Sequence, residues 1–400
     1  MAPARPLLDA AERRRRIGVR HGIATAARLP GPVEATRAMT VLHATEPATV
    51  YLSLAARVEG LQVREVDRAL YVERTLVKQL AMRRTLFVFP RDLLPAAWGS
   101  ASARVATQLR ARLVKEIERS GLAEDGVGWL RAAEAGILAR LAGGVEYSAQ
   151  ELREQVPEVA GSVELAAGTA YGGTFPVAPR VLTQLGVEHR LVRGQNTGHW
   201  RVSRPRWTLM ADWLGEEPAP LTAREGYAAL VGRWLRTFGP GTRADLQWWL
   251  GGTVGAVTGA LSDLGAVEVS LGGPGEEGET GWILPGDEDP TPDVAPWAAL
   301  LPVLDPTTMG WKQRGFYLGP HADRLFDRNG NAGTTAWWNG RIVGCWVQGP
   351  SGEVRVVLAE EVEAAGRAAL DAEAARLTTW LDGVRVATVY PSPAMRGATT

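Results

Sequence analysis

His43 and Thr45 stand two positions apart in Val41-Leu42-His43-Ala44-Thr45-Glu46-Pro47, just ahead of the apolar helical run Val50 to Val58. In extended backbone, residues i and i+2 point to the same side, so both would face one cleft. A neutral imidazole with an ordinary pKa of about 6.5 accepts a hydrogen bond from water and takes its proton. A neighbouring hydroxyl holds the same water or a sugar oxygen. The chemistry of such a pair is hydrolysis. On the residues alone there is a second reading, in which His43 staples the following helix and Thr45 is its N-cap.

Cationic side chains follow the pair. A strand beginning at Arg83-Arg84 would set two guanidiniums beside the cleft, and the planar guanidinium suits phosphate. Lys312 and Arg314 are the next phosphate clamps, in a loop-like stretch after Leu304 to Gly310. Arg57 lies on an otherwise apolar helix and is read either as a further phosphate ligand or as internally paired. The nearest lysine downstream of the motif is Lys78, which favours a simple hydrolase over a Schiff-base lyase.

Other site types are poorly represented. His21, His189, His199 and His321 have no metal-ligand spacing, and the chain lacks a phosphate-binding Gly-Lys-Ser/Thr loop and a Gly-x-Ser-x-Gly elbow, so no metal or cofactor is expected. A single cysteine, Cys345, excludes an intrachain disulfide framework and is read as a small core residue of a cytoplasmic protein. Fifteen tryptophans are read mostly as core, with at most one of Trp248 and Trp249 facing outward from a helix.

At 400 residues, with 46% apolar and 22% charged residues, the chain is expected to form several globular units, with no membrane span. Lys+Arg and Asp+Glu both count 44, so a nucleic-acid partner would have to be met by local basic clusters. Three segments repeat helices followed by a hairpin, the pattern of a winged helix. They are assigned to residues 1–122, 123–215 and 216–286. The second has Ser148 capping Ala149 to Gln155, a Gly-rich stretch at Gly168 to Gly173, and a hairpin of Val187 to Val192 with His199 to Ser203. In the third, Thr222 caps Ala223 to Phe238, Thr242 caps Arg243 to Leu250, Thr253 to Leu264 takes the recognition-helix position, and the hairpin tip carries Glu276, Glu277 and Glu279, which would repel phosphate. Asp287 to Pro296 reads as a linker. Residues 297–400 form a β-rich cap, with strands at Leu300 to Leu304, Asp323 to Phe326, Thr334 to Trp338, Arg341 to Val347 and Val354 to Leu358, a turn at Asn339-Gly340, a helix over Glu360 to Trp380 and a strand at Arg385 to Val389. The fold class is mainly α with small β-sheets (α+β): tandem winged helices closed by an α/β cap.

The Leu42 to Val58 region, Leu80-Ala-Met-Arg-Arg-Thr85, Arg243 to Leu250, Leu300-Leu-Pro-Val-Leu-Asp305 and Asn339 to Gly344 together resemble the AlkZ-like (YcaQ-like) winged-helix DNA glycosylases. The resemblance implies a C-shaped array of winged helices that holds alkylated double-stranded DNA on its concave face, and hydrolysis of alkylated purines, including bulky adducts and crosslinks. It sets the reaction centre at His43-Ala44-Thr45, where characterised members carry glutamine, an apolar residue, and glutamine or aspartate. On that reading Arg83, Arg84, Arg57, Lys312 and Arg314 bind DNA, and Arg328-Asn329-Gly330-Asn331 is either a turn that probes the minor groove or an ordinary surface hairpin. The chain would act as a monomer near the nucleoid. The competing expectation is a non-catalytic winged-helix DNA binder, a regulator or damage sensor.

Overall fold

The computed structural model of the protein describes residues 5–165, 172–216, 218–273 and 278–399. Most of the Gly168 to Gly173 stretch, and Glu276 and Glu277 of the acidic hairpin tip, lie outside the described residues.

Side-chain caps set several of the helix starts. Asp9 accepts the Glu12 N–H at the head of α1 (Ala10–Arg20). Next come α2 (Pro32–Ala38), β1 (Leu42–His43), α3 (Pro47–Ala55) and α4 (Val63–Asp67). β2 (Leu76–Leu80) and β3 (Leu86–Pro90) form a hairpin, and β1 joins the far side of β3, so His43 lies opposite Phe87 and Phe87 opposite Gln79. α5 (Leu94–Ala97) passes through a widened turn into α6 (Ala103–Arg119). Gly99 in that turn admits the Leu221 carbonyl oxygen into the space a Cβ would fill.

The second segment contains α7 (Gly126–Leu141), α8 (Ala149–Gln155), the pair β4 (Ser162–Leu165) and β5 (Gly173–Pro176), α9 (Ala178–Val187), the pair β6 (Leu191–Asn196) and β7 (Pro205–Leu209), and α10 (Met210–Leu214). It buries its own apolar cluster, which runs from Leu113 to Trp207. The third segment has α11 (Ala223–Phe238), α12 (Arg243–Leu250), α13 (Val254–Asp263) and the pair β8 (Val267–Ser270) and β9 (Thr280–Ile283). Capping boxes at Ser148, Thr222 and Thr242 start α8, α11 and α12, each contributing about 1 kcal/mol.

The C-terminal segment builds a four-stranded antiparallel sheet, in the order β10 (Ala298–Leu301), β11 (Thr335–Trp338), β12 (Arg341–Gln348) and β13 (Val354–Leu358). Three short helices, α14 (Pro306–Met309), α15 (Gly315–Leu318) and α16 (Ala322–Leu325), fill the β10–β11 connection. α17 (Ala364–Leu381) and α18 (Pro393–Thr399) follow the sheet. Asn339 and Gly340, at φ 46° and 81°, make the β11–β12 turn, the left-handed pair that an Asn-Gly turn supplies. Helices with small antiparallel sheets make this an α+β fold. Its largest core cluster draws Ile17, Phe87, Trp234 and Trp337 from the first, third and C-terminal segments together. Cys345 is buried in that cluster. Among the described residues no helix is long and apolar enough to cross a membrane.

Five expectations are corrected. Arg83 and Arg84 do not begin a strand; they form the tight β2–β3 turn, both left-handed at φ 53° and 59°. The second strand of the later hairpin in the second segment is Pro205–Leu209, because His199 to Ser203 folds into a turn and Asn196 closes the loop on Gly198, Val202 and Arg204. Trp200 in that loop packs against Tyr51 and Trp380, with ring centres 5.3 and 5.6 Å apart. Asp323 to Phe326 is mostly the helical turn α16. Arg385 to Val389 is extended without a partner strand, held instead by Gln348 and Glu46. The stretch after Asp287 is not a free linker: Asp287 pairs with Arg16 and Arg20 of α1, and Thr291 bonds Glu12.

Candidate functional site

The β1–α3 loop carries the proposed reaction pair. The Ala44 N–H donates to the Leu86 carbonyl at 2.9 Å, which ties the loop to β3. Extended backbone ends at His43, whose ring packs 4.7 Å from Phe87 and is only 5% exposed. Its Nδ1 is buried without a hydrogen-bond partner. Thr45 lies in the following bend and is exposed, so the pair divides between interior and surface and does not face one way. The N-cap of α3 is Glu46, not Thr45, and its carboxylate is turned to the C-terminal segment, accepting from Thr388 Oγ1 at 2.8 Å and the Val389 N–H at 2.6 Å.

Burial is the main cause, and Arg83 a second, of a His43 pKa pushed down to about 3, against an opposing pull from Asp305. The ordinary value expected from sequence is therefore corrected: the ring is uncharged at neutral pH and is a weak base. A neutral imidazole carries one donor and one acceptor, the same pairing a carboxamide offers. Such a ring can hold and orient a water, and its low basicity disfavours taking the water's proton at pH 7.

His21 is fully buried and likewise pushed down to about 3, first by burial and then by Arg57. Its Nε2 donates to the Thr237 carbonyl at 3.1 Å and its Nδ1 accepts from Thr307 Oγ1 at 2.8 Å. The unfolded chain protonates both imidazoles at about pH 6.5. The folded chain resists until about pH 3. Between these values acid favours unfolding, by up to about 1.4 kcal/mol per pH unit for each ring. The thermal midpoint is expected to fall measurably from pH 7 to pH 5 in scanning calorimetry. A midpoint flat over that range would mean that the rings are solvated.

The phosphate candidates separate into two sets. Arg57 is corrected outright as a DNA ligand: it is 0% exposed and forms a two-pronged ion pair with Asp305, Nη2 to Oδ1 at 2.7 Å and Nη1 to Oδ2 at 2.9 Å. Ser53 and the Thr307 N–H also bond the carboxylate. Burial pushes the Asp305 carboxyl up, and the Arg57 guanidinium outweighs it, leaving the pKa below the usual range.

The other set converges. A groove of about 1230 Å³ is lined by Lys312, Arg314, Arg328, Asn329 and Arg396, with Asp323 and Asp327 also on its wall. Asp327 organises the Arg328–Asn329 turn by accepting the Asn329 and Asn331 N–H groups, each at 2.8 Å. Asp245 of α12 accepts the Lys312 and Gln313 N–H groups, each at 2.9 Å, and so fixes the loop before Arg314. Glu279 receives the Gln313 amide, which spends the one described acid of the hairpin tip on this loop. Arg83 reaches the same neighbourhood from the β2–β3 turn, its guanidinium 4.1 Å from the centre of the Trp248 ring. Arg84 is exposed beside it. Trp248 is half-buried and Trp249 buried, as alternate sides of a helix require. Nothing in the sequence shows that Trp248 meets Arg83 and Arg314, because a Trp pair inside a helix pattern signals core first.

Over nearly its whole length the chain has the fold of a solved DNA-acting enzyme. The DNA glycosylase AlkZ of Streptomyces sahachiroi superposes with a TM-score of 0.69, covering 92% of this chain and 96% of its own, at 17% sequence identity. At that identity the likeness speaks for the fold alone. No curated protein matches the sequence. The sequence profile of the AlkZ-like DNA glycosylases matches residues 36–380, and the chain belongs to that family. By family it is a DNA glycosylase, a hydrolase of DNA repair.

Proposed function

We propose that the protein hydrolyses the N-glycosidic bond of alkylated purines in double-stranded DNA, N7-alkylguanine foremost, with bulky genotoxin adducts and crosslinks in its range. The observation that carries this reading is the uncharged His43, buried on the β1–α3 loop within electrostatic reach of Arg83, which shares an indole with the groove-lining Arg314. An N7-alkylated guanine already carries positive charge and leaves as a neutral base, so no acid is needed to protonate it. What remains is to place water against an oxocarbenium-like sugar, and a neutral imidazole does that. Thr45, at the exposed end of the loop, bonds the sugar or the water.

In this reading the three helix-and-hairpin segments act as winged helices in a C-shaped array around the duplex, with the β-rich C-terminal unit closing it. Lys312, Arg314, Arg328, Asn329, Arg83 and Arg84 hold the backbone, and the chain works as a monomer in the cytoplasm. The split of His43 and Thr45 between interior and surface favours one rival, a damage sensor that binds without cutting.

Duplex DNA carrying one N7-methylguanine, treated with the enzyme and then hot alkali, separates the two. Strand cleavage at the lesion well above spontaneous depurination is expected. Salt-sensitive binding with no base release would hand the case to the sensor.

A further inference from the structure

Two guanidiniums share one tryptophan. Arg83 lies 4.1 Å and Arg314 5.1 Å from the Trp248 ring centre, and Arg314 also lies 4.5 Å from that of Phe326. Neither arginine forms an ion pair among the described residues. Arg314 donates to the backbone carbonyls of Trp311 and Gly330, at 3.0 and 3.4 Å. The Arg83 Nε is buried without a hydrogen-bond partner. Burial, and then Arg314, lower the Arg83 pKa to about 10, so Arg83 keeps its charge at pH 7 although Arg314 repels it.

The arrangement is held from outside. Arg83 keeps a left-handed backbone, and its main chain and Cγ press against Gly251, where a Cβ would lie 3.2 and 3.1 Å away. Gly251 ends α12, the helix that carries Trp248. The Trp311–Arg314 loop is fixed to the same helix through Asp245. Asp323 and Asp327 stand on the wall of the groove that Arg314 lines, but neither pairs with it, and like charges gathered on one ring and backed by three elements are stable when an anion completes them.

We propose that Arg83 and Arg314 together bind a single phosphodiester group of the DNA, and that Trp248 is the positioning residue that holds them to it. This rests on the DNA-hydrolase reading and adds to it a shared subsite and its organiser. Alanine at either arginine alone would leave the phosphate half-held, so the second guanidinium contributes little once the first is gone.

The test is a double-mutant cycle on the salt dependence of duplex binding, followed by fluorescence anisotropy with the full chain. Each phosphate neutralised contributes about 0.9 to the slope of log K against log salt. Arg83→Ala and Arg314→Ala should each lower the slope by about 0.9, and the double variant by about 0.9, not twice that. Trp248→Leu should lower it equally and add nothing in the Arg83→Ala background, while Trp248→Phe keeps a ring face and restores most of the slope. Additive slopes in the double variant, or a wild-type slope in a folded Trp248→Leu protein, would overturn the proposal. N7-methylguanine release by the wild-type enzyme is measured in parallel: release with additive slopes ends the shared subsite alone, and absence of release ends the catalytic reading while non-additive slopes still uphold the subsite.

Discussion

Arg57→Ala is expected to cost about 3–5 kcal/mol in urea or guanidinium unfolding, a large part of the stability of an ordinary domain. The loss does not come from the ion pair's attraction alone. Removing the guanidinium leaves the Asp305 carboxylate 0% exposed with only Ser53 and the Thr307 N–H for company, and a buried charge without a counter-ion is what makes such truncations severe. Replacing both partners by apolar residues of similar volume, as in Arg57→Met with Asp305→Leu, should be far milder than the single change. The pair joins the end of α3 to the loop after β10, so the single variant should also loosen the C-terminal sheet from the first segment. A cost below about 1 kcal/mol would mean that the guanidinium is solvated. Arg57 would then return to the pool of phosphate ligands.

His43→Ala is expected to lower single-turnover release of N7-methylguanine by about 100-fold or more, within the span that a positioned acid–base or water-orienting group supplies. His43→Gln should retain much more activity, since the carboxamide reproduces a neutral donor and acceptor. Thr45→Ala should cost less than either. The pH profile of the wild-type rate discriminates further. With the His43 pKa pushed down to about 3, the ring is neutral from pH 5 to 8 and the rate should be flat there after subtraction of spontaneous depurination, falling only as the pH approaches 3. A step centred near about 6.5 would show an imidazole titrating in solvent, acting as a proton acceptor after all.

The third segment was legible almost to the residue. Thr222 and Thr242 stand at the caps where α11 and α12 begin, and Thr253 starts α13, because a capping side chain, its N3 partner and the following apolar spacing all lie within one helical turn. Asn339-Gly340 was legible for the same reason: two adjacent residues carry the whole backbone requirement of the turn. The Arg385 to Val389 stretch has the alternation of a strand but no neighbour to bond, and β-propensity describes a surface that only another strand completes. Arg83-Arg84 was misjudged because its left-handed turn is held by contact with Gly251, which lies on another segment.

From sequence alone came the α+β class, the family resemblance, and the choice of the candidate reaction loop and the phosphate-binding candidates, all of which rest on signals a few residues long. Tertiary structure alone decided that Arg57 is spent on Asp305, that His43 is held neutral, and that Arg83 meets Arg314 on Trp248. Desolvation and charge pairing depend on which distant segments close over a side chain, and no local pattern encodes that closure.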